Sequence, residues 1–433
     1  MKKFNYKKIH YSLGFIIIAA FCLLVFNAKS VQASNFNYGI ETDSPAGFAS
    51  LNGGTNGGTL ADKKHTFVVH NRQELLAALG NSSNNTPKLI YIAGCIDMNA
   101  DANGHKLTLA DYATAGYSLD SYLKQYDPQT WGRKKIPSGK LEEQRQASQK
   151  NQSRQITINV PSNTTIYGIQ NAQILGGSLK LTAVQNVIIR NINFVTPFDL
   201  FPQWDPTDGK LGNWNSQYDS ITLKKTRNVW IDHNTFSDGD ATDNLTDYYF
   251  NRIYQHHDGC VDITDGSDYI TFSYNKLFNH DKTMLIGSSD SKTSDTNKLH
   301  VTIDHNWFEN LVQRQPRVRF GTVHLYNNYY SAAKTPLYKA QYIIGVGVNS
   351  RILAQNNDIE IPDFDKNKVV KLFKGDQLTM KNTLFNGLIY NSGNDFNNSL
   401  KDTNWHPTYN YDLDPVSDIQ NSTTHYSGAG ILQ

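Results

Sequence analysis

Two aspartates four residues apart, Asp258 and Asp262 in DGCVD, are followed by Lys282 in HDKTMLIG and by Arg314, Arg317 and Arg319 in QRQPRVRF. A further aspartate, Asp219, stands earlier in NWNSQYDSITL. Side chains at i and i+4 of a strand point to the same face. A short strand would therefore bring Asp258 and Asp262 together, and a neighbouring strand could add Asp219. Three carboxylates on one face repel each other strongly, so a cation is expected among them. A hard divalent cation such as calcium takes about six to eight oxygens from carboxylates, carbonyls and water. Each piece has a plainer reading by itself: DG dipeptides make turns, and QRQPRVR makes a solvated basic loop. Acids and bases crowded into one short stretch point instead to a metal ion beside an anionic substrate.

The elements that would position these residues repeat along the chain. VWIDHNTF (229–236), ITFSYNKLF (270–278), VTIDHNWF (301–308) and VHLYNNYY (323–330) each alternate apolar and polar residues, reach an asparagine and end in an aromatic. Asn234, Asn275, Asn306, Asn328 and Asn357 occupy the repeated place, and Asn306 and Asn328 are 22 residues apart. Short strands repeating at this length predict a solenoid. Asparagine suits one repeated corner because it tolerates left-handed backbone geometry and its amide can bond to the amide one coil on. A β-sandwich with ordinary turn asparagines is the other reading of the pattern. A solenoid needs capped ends. Asn71 followed by RQELLAAL predicts an N-capped amphipathic helix over the first coil. Residues 117–155 read as a polar, partly helical excursion, and the tail after about residue 391 as polar loop.

The motifs, their order and their spacing resemble the family-1 pectate lyases, calcium-dependent enzymes that cut polygalacturonate by β-elimination. The resemblance runs from about Gly47 to Leu432. It implies an all-β fold, a right-handed parallel β-helix, with Asp219, Asp258 and Asp262 as the calcium ligands. Asp219 lies eleven residues before Trp230 of the WIDH motif, which is the family's spacing. The resemblance assigns Arg314 as the catalytic base, and Lys282 and Arg319 as the groups that hold uronate carboxylates. It leaves Arg317 a structural role, paired with an acid behind the cleft. Some members carry a further acid where this chain has Gln217, so the number of ions held with substrate stays open. Free arginine has a reference pKa above about 12, which makes the base the physically demanding part of the assignment.

Other residues have competing readings. Trp204 and Trp214 flank the loop before Asp219, where they either stack on sugars or pin the loop. Asp232-His233 looks like a dyad, but Asp304-His305 repeats it, which favours a structural corner. His256 and His257 precede Asp258 and suit support of that aspartate.

The ends and the composition fit an exported enzyme. Lys2, Lys3, Lys7 and Lys8 precede an apolar run over about 13–26, and Val31-Gln32-Ala33 offers a small-residue cleavage site. Residues 1–33 thus read as a signal peptide, too short in their apolar run to span a membrane comfortably. Residues 34–433 read as one catalytic domain, extracellular, with no membrane association once the signal is removed. Five lysines and no acids lie in 1–33, so the +2 of the full chain (41 bases, 39 acids) becomes −3 for the remainder. That balance gives no overall basic field for nucleic acid. The expected partner is polygalacturonate or low-ester pectin, met by a local cationic cleft, and the expected state is a monomer. Cys95 and Cys260 read as two buried thiols rather than a bridge. Three rivals are weaker. A polygalacturonase would need a pair of carboxylates as acid and base, a pectin lyase would lack the aspartates, and a binding-only β-helix would not need Arg314.

Overall fold

The computed structural model describes residues 43–81 and 83–432, and the chain from Asp43 onward forms one compact unit. The expected signal peptide, 1–33, lies outside the described residues. Each full coil gives one strand to each of three stacks, and neighbours within a stack pair in parallel. The first stack runs through Thr157–Asn159, Ser178–Thr182, Ile221–Lys224, Gly259–Thr264, the end of Lys276–Ile286, Arg317–Val318, Ile344–Gly347 and Val370–Phe373. The second runs from Thr66–Val69 through Arg227–Asp232 and Asp268–Ser273 to Leu378–Lys381. The third ends in Trp307–Gln313, Tyr329–Ser331, Asp358–Glu360 and Thr383–Phe385. The result is a right-handed parallel β-helix, the hand that parallel crossovers adopt.

Alternation along each strand decides what fills the interior. Val229, Ile270, Val301 and Val323 are register partners on successive coils, and all are fully buried. Aromatics stack the same way: the Phe194 and Phe236 rings lie 5.0 Å apart, and Phe308 and Tyr330 4.8 Å. The open end is closed by the helix Arg72–Leu79, whose Leu75, Ala78 and Leu79 are buried. Asn71 caps it by accepting from the Glu74 amide at 2.9 Å, as its sequence predicts.

The asparagine corner is a hydrogen-bonded ladder. The side-chain amides of Asn234, Asn275, Asn306 and Asn328 each donate to the Oδ1 of the next asparagine at 3.0–3.1 Å, ending on Asn357. The left-handed backbone does not fall on these residues. It falls one place earlier, on His233, Tyr274, His305, Asn327 and Asn356, with φ between 47° and 53°. The ladder asparagines are there for their amides, and the preceding residue takes the strain of the turn.

The excursion folds as helices Leu119–Gln125 and Lys140–Ile156. Arg145 and Glu142 pair inside it at 2.8 Å, and Gln149 reaches Asp199 at 2.6 Å. Trp204 and Trp214, 0% and 1% exposed, pack with Tyr122, Tyr126 and Tyr254. They therefore pin the loop and present no surface to a sugar. The tail packs along the coils: Tyr409 meets Thr302 at 2.7 Å and His324 at 2.8 Å. It is not all loop, since Ile419–Tyr426 is a helix that buries Ile419 and Thr423. Cys260 is a fully buried free thiol and forms no bridge, whereas Cys95 is only half-buried.

Candidate active site

The side chains singled out by the motifs lie on the outer face of the first stack and at its edges. Pairing sets Thr222 beside Asp262 and Gly259 beside Lys282. Leu285 follows in the row and pairs with Arg317. Asp219 stands just before Ile221–Lys224. Asp258 and Asp262 bracket the start of the next coil, Lys282 stands on the one after, and Arg314 and Arg319 flank Arg317–Val318 beyond it. The six predicted residues thus occupy four successive coils.

The acids are held close. Asp219 accepts from Thr222 Oγ1 at 2.8 Å and from the Gly259 amide at 3.0 Å. Asp262 accepts from the Leu285 amide at 3.2 Å. A Cβ on Gly259 would lie 2.5 Å from Asp262 Oδ1 and 2.9 Å from Asp219 Oδ1, so these oxygens crowd the same glycine. Burial, then Asp262 and Asp258, raise the Asp219 carboxyl well above its ordinary range. Burial and Asp258 push Asp262 up to about 7, against the opposing pull of Arg314 and Lys282. Both shifts say that the ionised cluster lacks compensating positive charge. Among the described residues, no group of three or more His, Cys, Asp or Glu side chains is drawn tightly enough together to hold an ion as it stands. Asp258 turns partly toward Lys282, whose Nζ donates to it at 3.4 Å. The donor set itself suits a hard divalent cation: three carboxylates, two of them flanking one glycine.

The cations differ in their surroundings. Arg314 has a left-handed backbone, φ 60°, and its buried Nε has no hydrogen-bond partner among the described residues. Burial pulls its guanidinium down, but Asp262 and Asp258 outweigh that and raise it. Arg319 donates to Asp290 at 2.9 Å and to the Gly287 carbonyl at 3.2 Å. Among the described residues Arg317 pairs with no acid; its guanidinium lies 4.0 Å over the Phe373 ring. The sequence motif could not show that a ring from a later coil would take that place.

Two supporting acids to which the motifs assign no role, Asp281 and Asp290, come into view here. Asp281 is clamped by Gln255 at 2.7 Å and Gln313 at 3.0 Å, next to Lys282. Asp290 bridges Arg319 and Lys374. The only signal for either was an acid next to, or downstream of, a named base. His257 is wedged between the Pro197 and Ala241 carbonyls, each at 2.9 Å. His256 stacks on Phe198 at 3.9 Å and is pushed down to about 3 by burial. Both hold the segment leading into Asp258. Asp232-His233 and Asp304-His305 are corner pairs, at 2.6 and 2.8 Å, with Tyr274 stacked between the two rings.

The pectate lyase family model matches residues 135–432. Over 389 residues the chain is 47% identical to a pectate lyase of Bacillus subtilis, covering 89% of this chain and 92% of that one. It is 34% identical over 390 residues to pectate lyase E of Dickeya dadantii, with 88% and 84% covered. A solved pectate lyase bound to a hexasaccharide superposes with a TM-score of 0.88 at 45% identity, over 92% of this chain and all of that one. A pectate lyase from Acidovorax avenae gives 0.84 at 34% identity, over 94% and 99%. With this similarity along nearly the whole described chain, and with the acids and bases of the motifs gathered on one face, the chain belongs to the family-1 pectate lyases, which are polysaccharide lyases.

Proposed function

We propose that this chain is an exported, calcium-dependent lyase that cuts de-esterified galacturonan by β-elimination, with residues 1–33 as the removed signal. The observation that carries the reading is the meeting of three carboxylates with Lys282, Arg314 and Arg319 over four coils. The relatives are named pectate lyases, and retention of all three aspartates sets the chain apart from a pectin lyase.

Asp219, Asp258 and Asp262 would hold the ion. Calcium held there would supply positive charge to offset charge on the uronate carboxylate. Lys282 and Arg319 hold uronate carboxylates and orient the ring. Arg314 takes the C5 proton. The electron pair of that C–H bond becomes the C4–C5 double bond, and the C4–O bond breaks, its pair leaving with the oxygen of the departing chain. No water is consumed. Arg314 must be neutral to act, and its carboxylate neighbours oppose that. Neutralising Asp258 and Asp262 removes the pull and leaves burial to lower the guanidinium.

The test follows ultraviolet absorbance of unsaturated products from polygalacturonate at alkaline pH, with calcium and then with excess chelator. Absorbance that needs calcium supports the reading. New reducing ends without absorbance would replace it with hydrolysis.

A further inference from the structure

Every cation assigned so far lies to one side of the carboxylates. On the other side, one coil before Ile221–Lys224, stands Lys180. Strand pairing sets Lys180 beside Thr222 and Thr222 beside Asp262, so the three share one outward row. Leu179 and Leu181 on either side are fully buried in the core. Lys180 thus projects onto the face that carries the site, two coil spacings of about 4.8 Å from Asp262.

Lys180 is half-buried. Among the described residues, no side chain or carbonyl accepts a hydrogen bond from its ammonium. Burial lowers its pKa, Lys224 acts the same way, and only Asp219 opposes them. A lysine held at such a place without a partner is disfavoured until an anion supplies one. Lys224, on the same face but exposed, adds positive field without this burial.

We infer that Lys180 binds the carboxylate of a galacturonate residue on the far side of the metal-binding acids. The groove then reads de-esterified uronate on both flanks of the cut, because a methyl ester at this place removes the charge that Lys180 pairs with. The inference rests on the galacturonan reading of the groove given above.

Calorimetric binding of hexagalacturonate and trigalacturonate, with calcium present, tests it on the full chain. Lys180→Gln should weaken hexamer binding about tenfold, the size of one lost charge-assisted hydrogen bond. Lys180→Arg should retain most of it. The loss should be concentrated on the hexamer, since a trimer held between the acids and Arg319 does not reach Lys180. Melting temperatures of both variants verify folding. Unchanged hexamer affinity in Lys180→Gln, an equal loss on both oligomers, or an equal loss in Lys180→Arg would overturn the assignment. Product absorbance from the wild-type chain judges the lyase reading separately. Binding without absorbance would sink elimination, while the affinity comparison would still decide Lys180.

Discussion

His280 and Asp238 form a fully buried pair, 2.5 Å between ring Nδ1 and carboxylate Oδ1, on a strand that carries Lys282 two residues later. Asp238 also accepts from Thr196 Oγ1 at 2.7 Å and Tyr338 Oη at 2.8 Å, with His257 at 3.7 Å. It opens the loop that His257 closes just before Asp258. One carboxylate therefore ties both ends of that loop, and the Lys282 strand, to the coils.

Asp238→Asn should destabilise the fold by about 3–5 kcal/mol, because it leaves a buried imidazolium without its counter-charge. The pH dependence follows from the shifts. Burial opposes ionisation of Asp238, but His257 and His280 overcome it and bring the carboxyl down to about 2. Its stabilising contribution is therefore complete above the ordinary carboxylate range and fades as pH falls toward 2. Burial likewise opposes protonation of His280, and Asp238 reverses it, so His280 titrates well above its ordinary value. Its contribution is complete below the ordinary histidine range and is lost progressively as pH rises from there through the raised value. Denaturant unfolding of wild type and variant across pH measures both limbs. A difference below about 1 kcal/mol at neutral pH would contradict the role assigned to the pair.

The asparagine ladder predicts a cost of similar kind at a different place. Asn306 Oδ1 accepts from the Asn275 amide at 2.8 Å, and its Nδ2 reaches the Phe272 and Asp304 carbonyls. Asn306→Ala strands these buried groups and should cost about 1–3 kcal/mol. Asn306→Asp keeps the acceptor and loses the donors, so a loss as large as that of alanine would place the weight on the donated bonds. Thermal melting ranks the two variants. Equal stability of both with wild type would remove the ladder from the account of the fold.

How much of this the sequence disclosed depends on how local each cause is. The alternating strands, the Asn71 cap and the repeated asparagines are local patterns, and the structure follows them. The placement of left-handed backbone one residue before each ladder asparagine was not legible, because asparagine fits either position. Trp204 and Trp214 had two readings until their burial against Tyr122 and Tyr254 chose one. Arg317 on Phe373 joins residues 56 apart, and nothing in either segment announces the partner. Asp238 and His280 lie 42 positions apart for the same reason. Contacts between coils belong to the stacking register, which insertions such as residues 238–258 obscure in one dimension.

Arg314→Lys should lower turnover at least about a hundredfold, a loss typical of removing one group that acts on the reacting atoms. Lysine has a shorter reach and no planar fork, and Arg314 stands at the edge of the cluster with an Nε that finds no partner among the described residues. Calcium-dependent stabilisation should persist, because the three aspartates are unchanged. Product absorbance per second, measured beside calcium-dependent melting, separates the two. Turnover within about threefold of wild type would return the proton-abstracting role to another residue.

The raised carboxyls make a prediction about calcium and pH together. Asp262, at about 7, and Asp219 hold protons more tightly when folded than when unfolded. In excess chelator, stability should therefore fall as pH rises from the ordinary carboxylate range through about 7. Calcium requires the ionised carboxylates, so its stabilisation should grow over the same interval. At a hundredfold excess over Kd, about 2.7 kcal/mol is expected. Melting in chelator and in calcium, at about pH 5 and about pH 8, should show the larger gain at the higher pH. Asp262→Asn should abolish most of that gain and, in chelator, should melt higher than wild type at the higher pH, because it removes one charge from a repelling cluster. Equal gains at both pH values would mean that calcium binds elsewhere, and that the carboxylates around Gly259 serve a different cation or none.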